Sequence, residues 1–205
     1  MLNAGQPLKR IDLSTVERHP PIVGTALALA AASRLVVETA PALAAAPPLV
    51  WHTEDDTAAF AARLAGSPAV RNAFIELHGD LGAGKTTLVR HLLRALGVTG
   101  RIKSPTYAVV EPHEAPATPA GAASLAIWHF DFYRFNDPRE WEEAGFRDLF
   151  ASPGLKIAEW PEKAVGVLPV ADLVLHIETQ PDESRVVKGT AHTAAGRTLL
   201  KDAFP

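Results

Sequence analysis

Short runs rich in apolar or β-branched residues recur along the chain after residue 49. They predict strands at 73–78, 107–110, 125–135 and 155–158, with a proline- and alanine-rich loop at 114–124. Polar–apolar alternation in the tail predicts antiparallel strands at 172–178, 185–192 and 197–200.

Segments in which apolar residues have helical spacing lie before and between these strands. This spacing predicts helices over 53–65 and 86–96, and Asp137 followed by Pro138 is a start signal for a further helix. Thr53 and Asp56 have the spacing of a capping box at the first of these helices. The order of elements predicts one α/β domain over 49–205, with a central, mainly parallel sheet and antiparallel strands added at its C-terminal side.

The first 48 residues are rich in alanine and end at Pro47 and Pro48. We interpret them as a flexible or loosely helical extension outside the domain. An export signal is the alternative, but the apolar run Ala26–Ala32 is short and follows several charged residues. No run approaches the length that spans a bilayer, and a cytoplasmic protein is expected.

Residues 79–86, Gly-Asp-Leu-Gly-Ala-Gly-Lys-Thr, form a complete GxxxxGK[ST] phosphate-binding motif between a predicted strand and a predicted helix. In that position, backbone N–H groups of residues 82–86 converge on phosphate oxygens at the positive end of the helix. Lys85 is then expected to reach the β- and γ-phosphates, and the Thr86 hydroxyl to hold Mg²⁺. The motif predicts a site for a nucleoside triphosphate and Mg²⁺.

Two acidic residues come at the ends of strand-like runs: Asp131 directly after the run 126–130, and Glu159 directly after the predicted strand 155–158. Ligands of open α/β sheets gather at the carboxyl ends of strands, so either acid can orient Mg²⁺ or a water molecule there. The structural alternatives are a helix cap or an ion pair with Arg134 for Asp131, and a surface position for Glu159.

Other candidates lie close to these segments. Ser104 and Thr106 flank Pro105 and offer two hydroxyls on a rigid turn, which suits a segment that senses a γ-phosphate. Trp160 follows Glu159 and either stacks near the nucleotide or packs in the core.

Composition narrows the choice of function. A net charge of -3 gives no general attraction to nucleic acid, so contact with RNA is expected to be indirect. The absence of cysteine excludes disulfides, thiolate catalysis and cysteine-ligated metals. The eight histidines are scattered singly, and no histidine metal site is expected.

Five segments together resemble the TsaE family of bacterial ATPases of tRNA threonylcarbamoyladenosine biosynthesis. They are residues 79–87 (Gly-Asp-Leu-Gly-Ala-Gly-Lys-Thr-Thr), 103–107 (Lys-Ser-Pro-Thr-Tyr), 129–134 (His-Phe-Asp-Phe-Tyr-Arg), 143–145 (Glu-Ala-Gly) and 159–161 (Glu-Trp-Pro). The resemblance covers about residues 50–200. It implies a three-layer P-loop fold, slow ATP hydrolysis stimulated by partners, and action on the TsaB–TsaD complex that modifies tRNA.

The resemblance also implies residue roles. The phosphates would be wrapped by Gly82, Ala83, Gly84, Lys85, Thr86 and Thr87. Ser104 and Thr106 match switch residues, Asp131 a Walker-B-type acid, and Glu159, followed by Trp160, an acid of the Mg²⁺ site. Glu54 matches a residue on the adenine side only weakly. The sequence departs from the family in Phe132 and Phe135, in a longer loop around 114–122 and in its first 48 residues.

Two alternatives remain open at this point. A small-molecule kinase of the same fold would usually carry clustered arginines in a lid, and residues 113–128 contain no arginine. A nucleotide-dependent assembly module, in which hydrolysis is incidental, needs the same residues as an ATPase. The sequence also leaves open which of Asp131 and Glu159 orients the metal and which orients water.

Overall fold

A computed structural model of the protein describes residues 42–117, 121, 123–135, 141 and 144–205. Its helices are α1 (Glu54–Gly66), α2 (Lys85–Ala95), α3 (Phe146–Ala151) and α4 (Ala194–Ala203). Its strands are β1 (Ala44–Ala45), β2 (Leu49–Trp51), β3 (Phe74–His78), β4 (Val110–Ala115), β5 (Leu125–Asp131), β6 (Leu155–Glu159), β7 (Leu173–Thr179) and β8 (Arg185–Ala191).

All these strands belong to one sheet, in the order β1-β8-β7-β3-β6-β5-β4, with β2 also paired to β8. Its centre is parallel, because β3 pairs with β6 and β7, and β6 pairs with β5, in the same direction. The antiparallel β7–β8 pair lies on the C-terminal side, as predicted. A second antiparallel pair, β4–β5, closes the opposite side and was not predicted.

Alternate residues of the central strands face two separate cores, which confirms the three-layer architecture. Helices α1, α2 and α4 cover one face, where Phe60, Leu88 and Leu199 are fully buried. Helix α3 covers part of the other face, together with an aromatic cluster that includes Phe130 and Phe132. Burial of apolar surface on both faces is the main favourable contribution to stability.

The start of α1 follows from its sequence. The Thr53 hydroxyl accepts a hydrogen bond from the Asp56 amide, and the Asp56 carboxylate accepts one from the Thr53 amide at 2.9 Å. This reciprocal pair is the predicted capping box, and it satisfies amides that the helix itself leaves unpaired.

The strand predicted at 107–110 was wrong, because β4 begins only at Val110. The amides of Ala108 and Val109 both donate to the Pro105 carbonyl, at 2.9 and 2.7 Å, and hold a turn. Strand β4 then continues to Ala115, into the segment predicted as loop.

The strand predicted at 197–200 was also wrong, because these residues belong to α4. The Thr193 hydroxyl caps this helix by accepting from the Gly196 amide at 3.0 Å. Leu199, Leu200 and Ala203 then lie on one buried face. A four-residue alternation was too short to distinguish this helical face from a strand.

The sheet begins before the predicted domain boundary at residue 49. Ala44 and Ala45 pair with β8, and the Leu43 and Ala46 amides donate to the carbonyls of Ala191 and Gly189. Residues 1–41 and the helix start predicted at Asp137 and Pro138 lie outside the described residues. Within the described part of the chain, no helix combines the length and the apolar character needed to cross a membrane.

Candidate nucleotide site

The glycine-rich loop joins β3 to α2, as its motif predicts. Gly79, Gly82 and Gly84 all have positive φ, at 138°, 84° and 107°. A Cβ at Gly79 would lie 2.3 Å from the carbonyl oxygen of Ile177 on β7, so glycine is required there. Gly84 is the N-cap of α2 and has no side chain to cap it, so the first amides of this helix remain available to an anion.

Lys85 is buried inside this loop, with only 4% of its surface exposed. Its ammonium group donates to the carbonyls of Gly79 and, at 2.9 Å, of Asp80, and lies 3.8 Å from the centre of the Trp160 ring. Burial lowers the pKa of Lys85, and the nearby carboxylates, Glu159 foremost, act in the opposite direction. The loop therefore holds a cation against the start of α2.

The two predicted acids lie side by side at the carboxyl end of the sheet. Asp131 ends β5 and is paired in register with Glu159, which ends β6. Glu159 is also in register with Leu77 of β3, the strand that leads into the loop. The Thr86 hydroxyl donates to the Glu159 carboxylate, with 2.9 Å between Oγ1 and Oε2. One acid is thus joined directly to the phosphate loop.

The other acid is joined to the predicted switch turn. Ser104 Oγ and Thr106 Oγ1 both donate to Asp131 Oδ2, the latter at 2.7 Å. The second oxygen of Asp131 accepts the Tyr133 amide at 3.0 Å. Ser104 and Thr106 are therefore coupled to the sheet through Asp131.

Three other predicted site residues have different surroundings. Trp160 has a positive φ of 58°. It packs against Lys85 and also against Tyr133, with 5.0 Å between the ring centres of Trp160 and Tyr133. Thr87 follows Thr86 in the first turn of α2. Glu54 lies at the start of α1, where its carboxylate contacts His91 Nε2 on α2 at 2.8 Å.

Sequence reasoning missed His129, which is one of the eight scattered histidines and was not predicted as a site residue. Its side chain is completely buried, and Nε2 lies 2.8 Å from Glu159 Oε1. The signal was present in the sequence, because His129 and Asp131 share one face of a strand that is otherwise apolar.

The donor atoms at the loop fit magnesium bound together with a nucleotide. A hydroxyl from Thr86 and carboxylates from Glu159 and Asp131 are the hard oxygen ligands that Mg²⁺ prefers. Among the residues that the structure describes, no three metal-ligating His, Asp or Glu side chains form a cluster. Magnesium usually takes one or two protein carboxylates and completes its shell with phosphates and water, so the small donor set is sufficient.

The sheet order, the glycine loop between β3 and α2 and the acids beside it define a P-loop-type α/β protein. Residues 51–187 match the model of a family described as "Threonylcarbamoyl adenosine biosynthesis protein TsaE". The chain belongs to this family.

Similar proteins and a solved structure are consistent with this family assignment. The chain is 41% identical over 126 residues to the Haemophilus influenzae "tRNA threonylcarbamoyladenosine biosynthesis protein TsaE", covering 62% of this chain and 75% of the relative. Its identity to the protein of the same name from Bacillus subtilis is 31% over 143 residues, or 69% and 84% of the two chains. The crystal structure of Bacillus subtilis YdiB is similar, with a TM-score of 0.57 and 25% identity over 77% of this chain and 95% of that chain.

Proposed function

We propose that the protein binds and slowly hydrolyses Mg·ATP, and that this activity serves threonylcarbamoyladenosine modification of tRNA through a TsaB–TsaD complex. The observation that carries the proposal is the contact between Thr86 of the phosphate loop and Glu159 at the end of β6, with Asp131 beside it in register. Family membership supports the pathway, and the glycine loop and Lys85 support the nucleotide.

Catalysis in this proposal is mainly electrostatic and positional. The first amides of α2 and the Lys85 ammonium bind and orient the phosphates and stabilise the negative charge that shifts during phosphoryl transfer. Bound Mg²⁺ supplies further neutralisation of that charge. Thr86 and Glu159 hold the metal side, because they contact each other at the loop. Asp131 orients the attacking water.

The switch turn is the part of the site best placed to transmit its state. Ser104 and Thr106 contact Asp131, and the next residue, Tyr107, is 81% exposed. Contacts that order such a turn around a γ-phosphate change the surface beside it. With a net charge of -3, the link to tRNA runs through protein contacts.

The direct test is ATP turnover and gel filtration with purified TsaB and TsaD. We expect co-elution that depends on the nucleotide and turnover that rises when the complex is added. Stimulated turnover should fall more than nucleotide affinity in Thr106→Ala, because this change removes a contact of the switch turn. Co-elution without stimulated hydrolysis would favour an assembly module. The absence of both co-elution and stimulation would favour a P-loop kinase.

A further inference from the structure

A buried histidine lies behind the carboxylate that faces the phosphate loop. His129 is fully buried and the Glu159 side chain is 3% exposed. The two oxygens of this carboxylate have different partners: Oε1 contacts His129 Nε2 at 2.8 Å, and Oε2 accepts from the Thr86 hydroxyl at 2.9 Å. The carboxylate is therefore held from the sheet on one side and from the loop on the other.

The hydrogen-bond chemistry fixes which ring nitrogen carries the proton. An ionised carboxylate only accepts hydrogen bonds, so His129 Nε2 must be the donor. The other nitrogen, Nδ1, is buried without a hydrogen-bond partner in the part of the chain that the structure describes. A neutral ring with hydrogen on Nε2 leaves only a lone pair unpaired there.

The strands hold this contact in a fixed geometry. His129 on β5 is in register with Ile157 on β6, and Asp131 with Glu159, so His129 and Glu159 are diagonal neighbours across one parallel ladder. The contact with Thr86, in contrast, lies at the phosphate loop, and the Thr86 hydroxyl that makes it is proposed to hold a metal ion. The histidine side of the carboxylate does not need to change when the loop side does.

We propose that His129 is a positioning residue, which holds Glu159 Oε1 so that Oε2 stays directed to Thr86 and to a metal ion bound there. This inference rests on the proposed Mg·ATP site. In this role His129 contacts Glu159 and not the nucleotide. A residue that orients a metal ligand typically changes metal affinity about ten- to hundredfold when it is removed.

Two substitutions separate positioning from packing. His129→Leu removes the donor and keeps an apolar side chain, whereas His129→Gln keeps an N–H donor at a similar reach. ATP affinity is measured by calorimetry with Mg²⁺ and with chelator, and Mn²⁺ binding is measured by electron paramagnetic resonance with ATP present. We expect His129→Leu to weaken metal binding about tenfold or more and leave ATP affinity in chelator unchanged, and His129→Gln to restore most of the loss.

Each outcome has a definite meaning. A wild-type protein whose ATP affinity does not depend on Mg²⁺ would overturn the proposed metal site itself. A wild-type dependence that His129→Leu retains in full, or a loss that His129→Gln does not restore, would overturn only the positioning role. If His129→Leu does not fold, ¹⁵N NMR of the nucleotide-free wild type decides: hydrogen on Nε2 supports the role, and hydrogen on Nδ1 alone overturns it.

Discussion

Two buried lysines lie at opposite ends of the central sheet, and only one belongs to the candidate site. Lys85 and Lys156 are each 4% exposed, and burial lowers the pKa of both. Each ammonium lies over an indole ring, 3.8 Å from the centre of Trp160 for Lys85 and 5.1 Å from that of Trp128 for Lys156. Each also donates to backbone carbonyls.

The elements around each lysine explain the difference. Lys85 begins α2, so it lies with the uncapped first amides of this helix, beside Thr86 and close to the carboxylates of Glu159 and Asp131, which is the composition of a phosphate site. Lys156 donates to the carbonyl of Ser152 just after α3, where the negative end of a helix stabilises a cation. A cavity of about 280 Å³ beside Lys156 is lined by Phe74, Phe150 and Asp172, away from the loop. Burial and a lowered pKa alone therefore do not identify a functional lysine.

The strongest test of this contrast is nucleotide binding by the two alanine variants. Lys85→Ala should lower ATP affinity roughly tenfold to hundredfold, because it removes one charge-assisted contact worth about 1.5–3 kcal/mol. Lys156→Ala is the matched control and should bind ATP like the wild type. Calorimetric titration measures both. Equal losses in the two variants would remove the distinction between the lysines.

The free energy of unfolding, in contrast to ATP affinity, should depend on Lys156. Lys156→Ala should lower the free energy of unfolding by about 2 kcal/mol, because Ser152 loses its donor and Trp128 loses the packed side chain. Lys156→Met keeps most of the packing and should lose less. Urea denaturation measures these differences, and a fully stable alanine variant would show that Lys156 has no structural role.

The acids beside Lys85 provide a finer test. Glu159→Ala should weaken ATP binding about tenfold in Mg²⁺ and much less in chelator, because only the former uses the metal contact. Asp131→Asn should lower turnover more than affinity if this residue orients water. Titrations with and without Mg²⁺ and single-turnover assays measure the two effects. The roles would be exchanged if Asp131→Asn, and not Glu159→Ala, showed the metal-dependent loss.

The smallest expected effect is a dependence of stability on pH. The pKa of Lys156 is lowered by burial in the folded protein, so the unfolded chain binds more protons between that lowered pKa and the ordinary value of 10.5. The free energy of unfolding of the wild type, relative to Lys156→Met, should therefore rise as pH rises through this window. Urea denaturation from neutral pH upward measures the difference, and a difference that falls with pH would contradict the burial of the charge.

The parts of the fold that sequence predicted depend on local interactions. The phosphate loop, the Thr53–Asp56 capping box, and the strand and helix on either side of the loop are each specified by a few adjacent residues. The acids were found because a strand end is itself a local feature. The strand predicted over 107–110 was wrong because β-branched residues favour strands, whereas the carbonyl of Pro105 holds this backbone in a turn.

Contacts that depend on strand register were not predictable. His129 meets Glu159 only because β5 and β6 are parallel neighbours with Asp131 opposite Glu159. The antiparallel β4–β5 pair and the pairing of Ala44 and Ala45 with β8 likewise depend on which strands are adjacent. Single-sequence periodicity says which residues are buried and leaves their partners unspecified.

The pairing of β1 and β2 with β8 has a consequence for the solution behaviour of shortened chains. Both segments cover the outer side of β8, and Pro47 and Pro48 lie between them. A chain that begins at Leu49 would leave the carbonyls of Gly189 and Ala191 without the donors that Ala46 and Leu43 supply. Uncovered strand edges recruit other chains, so such a truncation is expected to self-associate and aggregate where a chain beginning at residue 42 stays monodisperse.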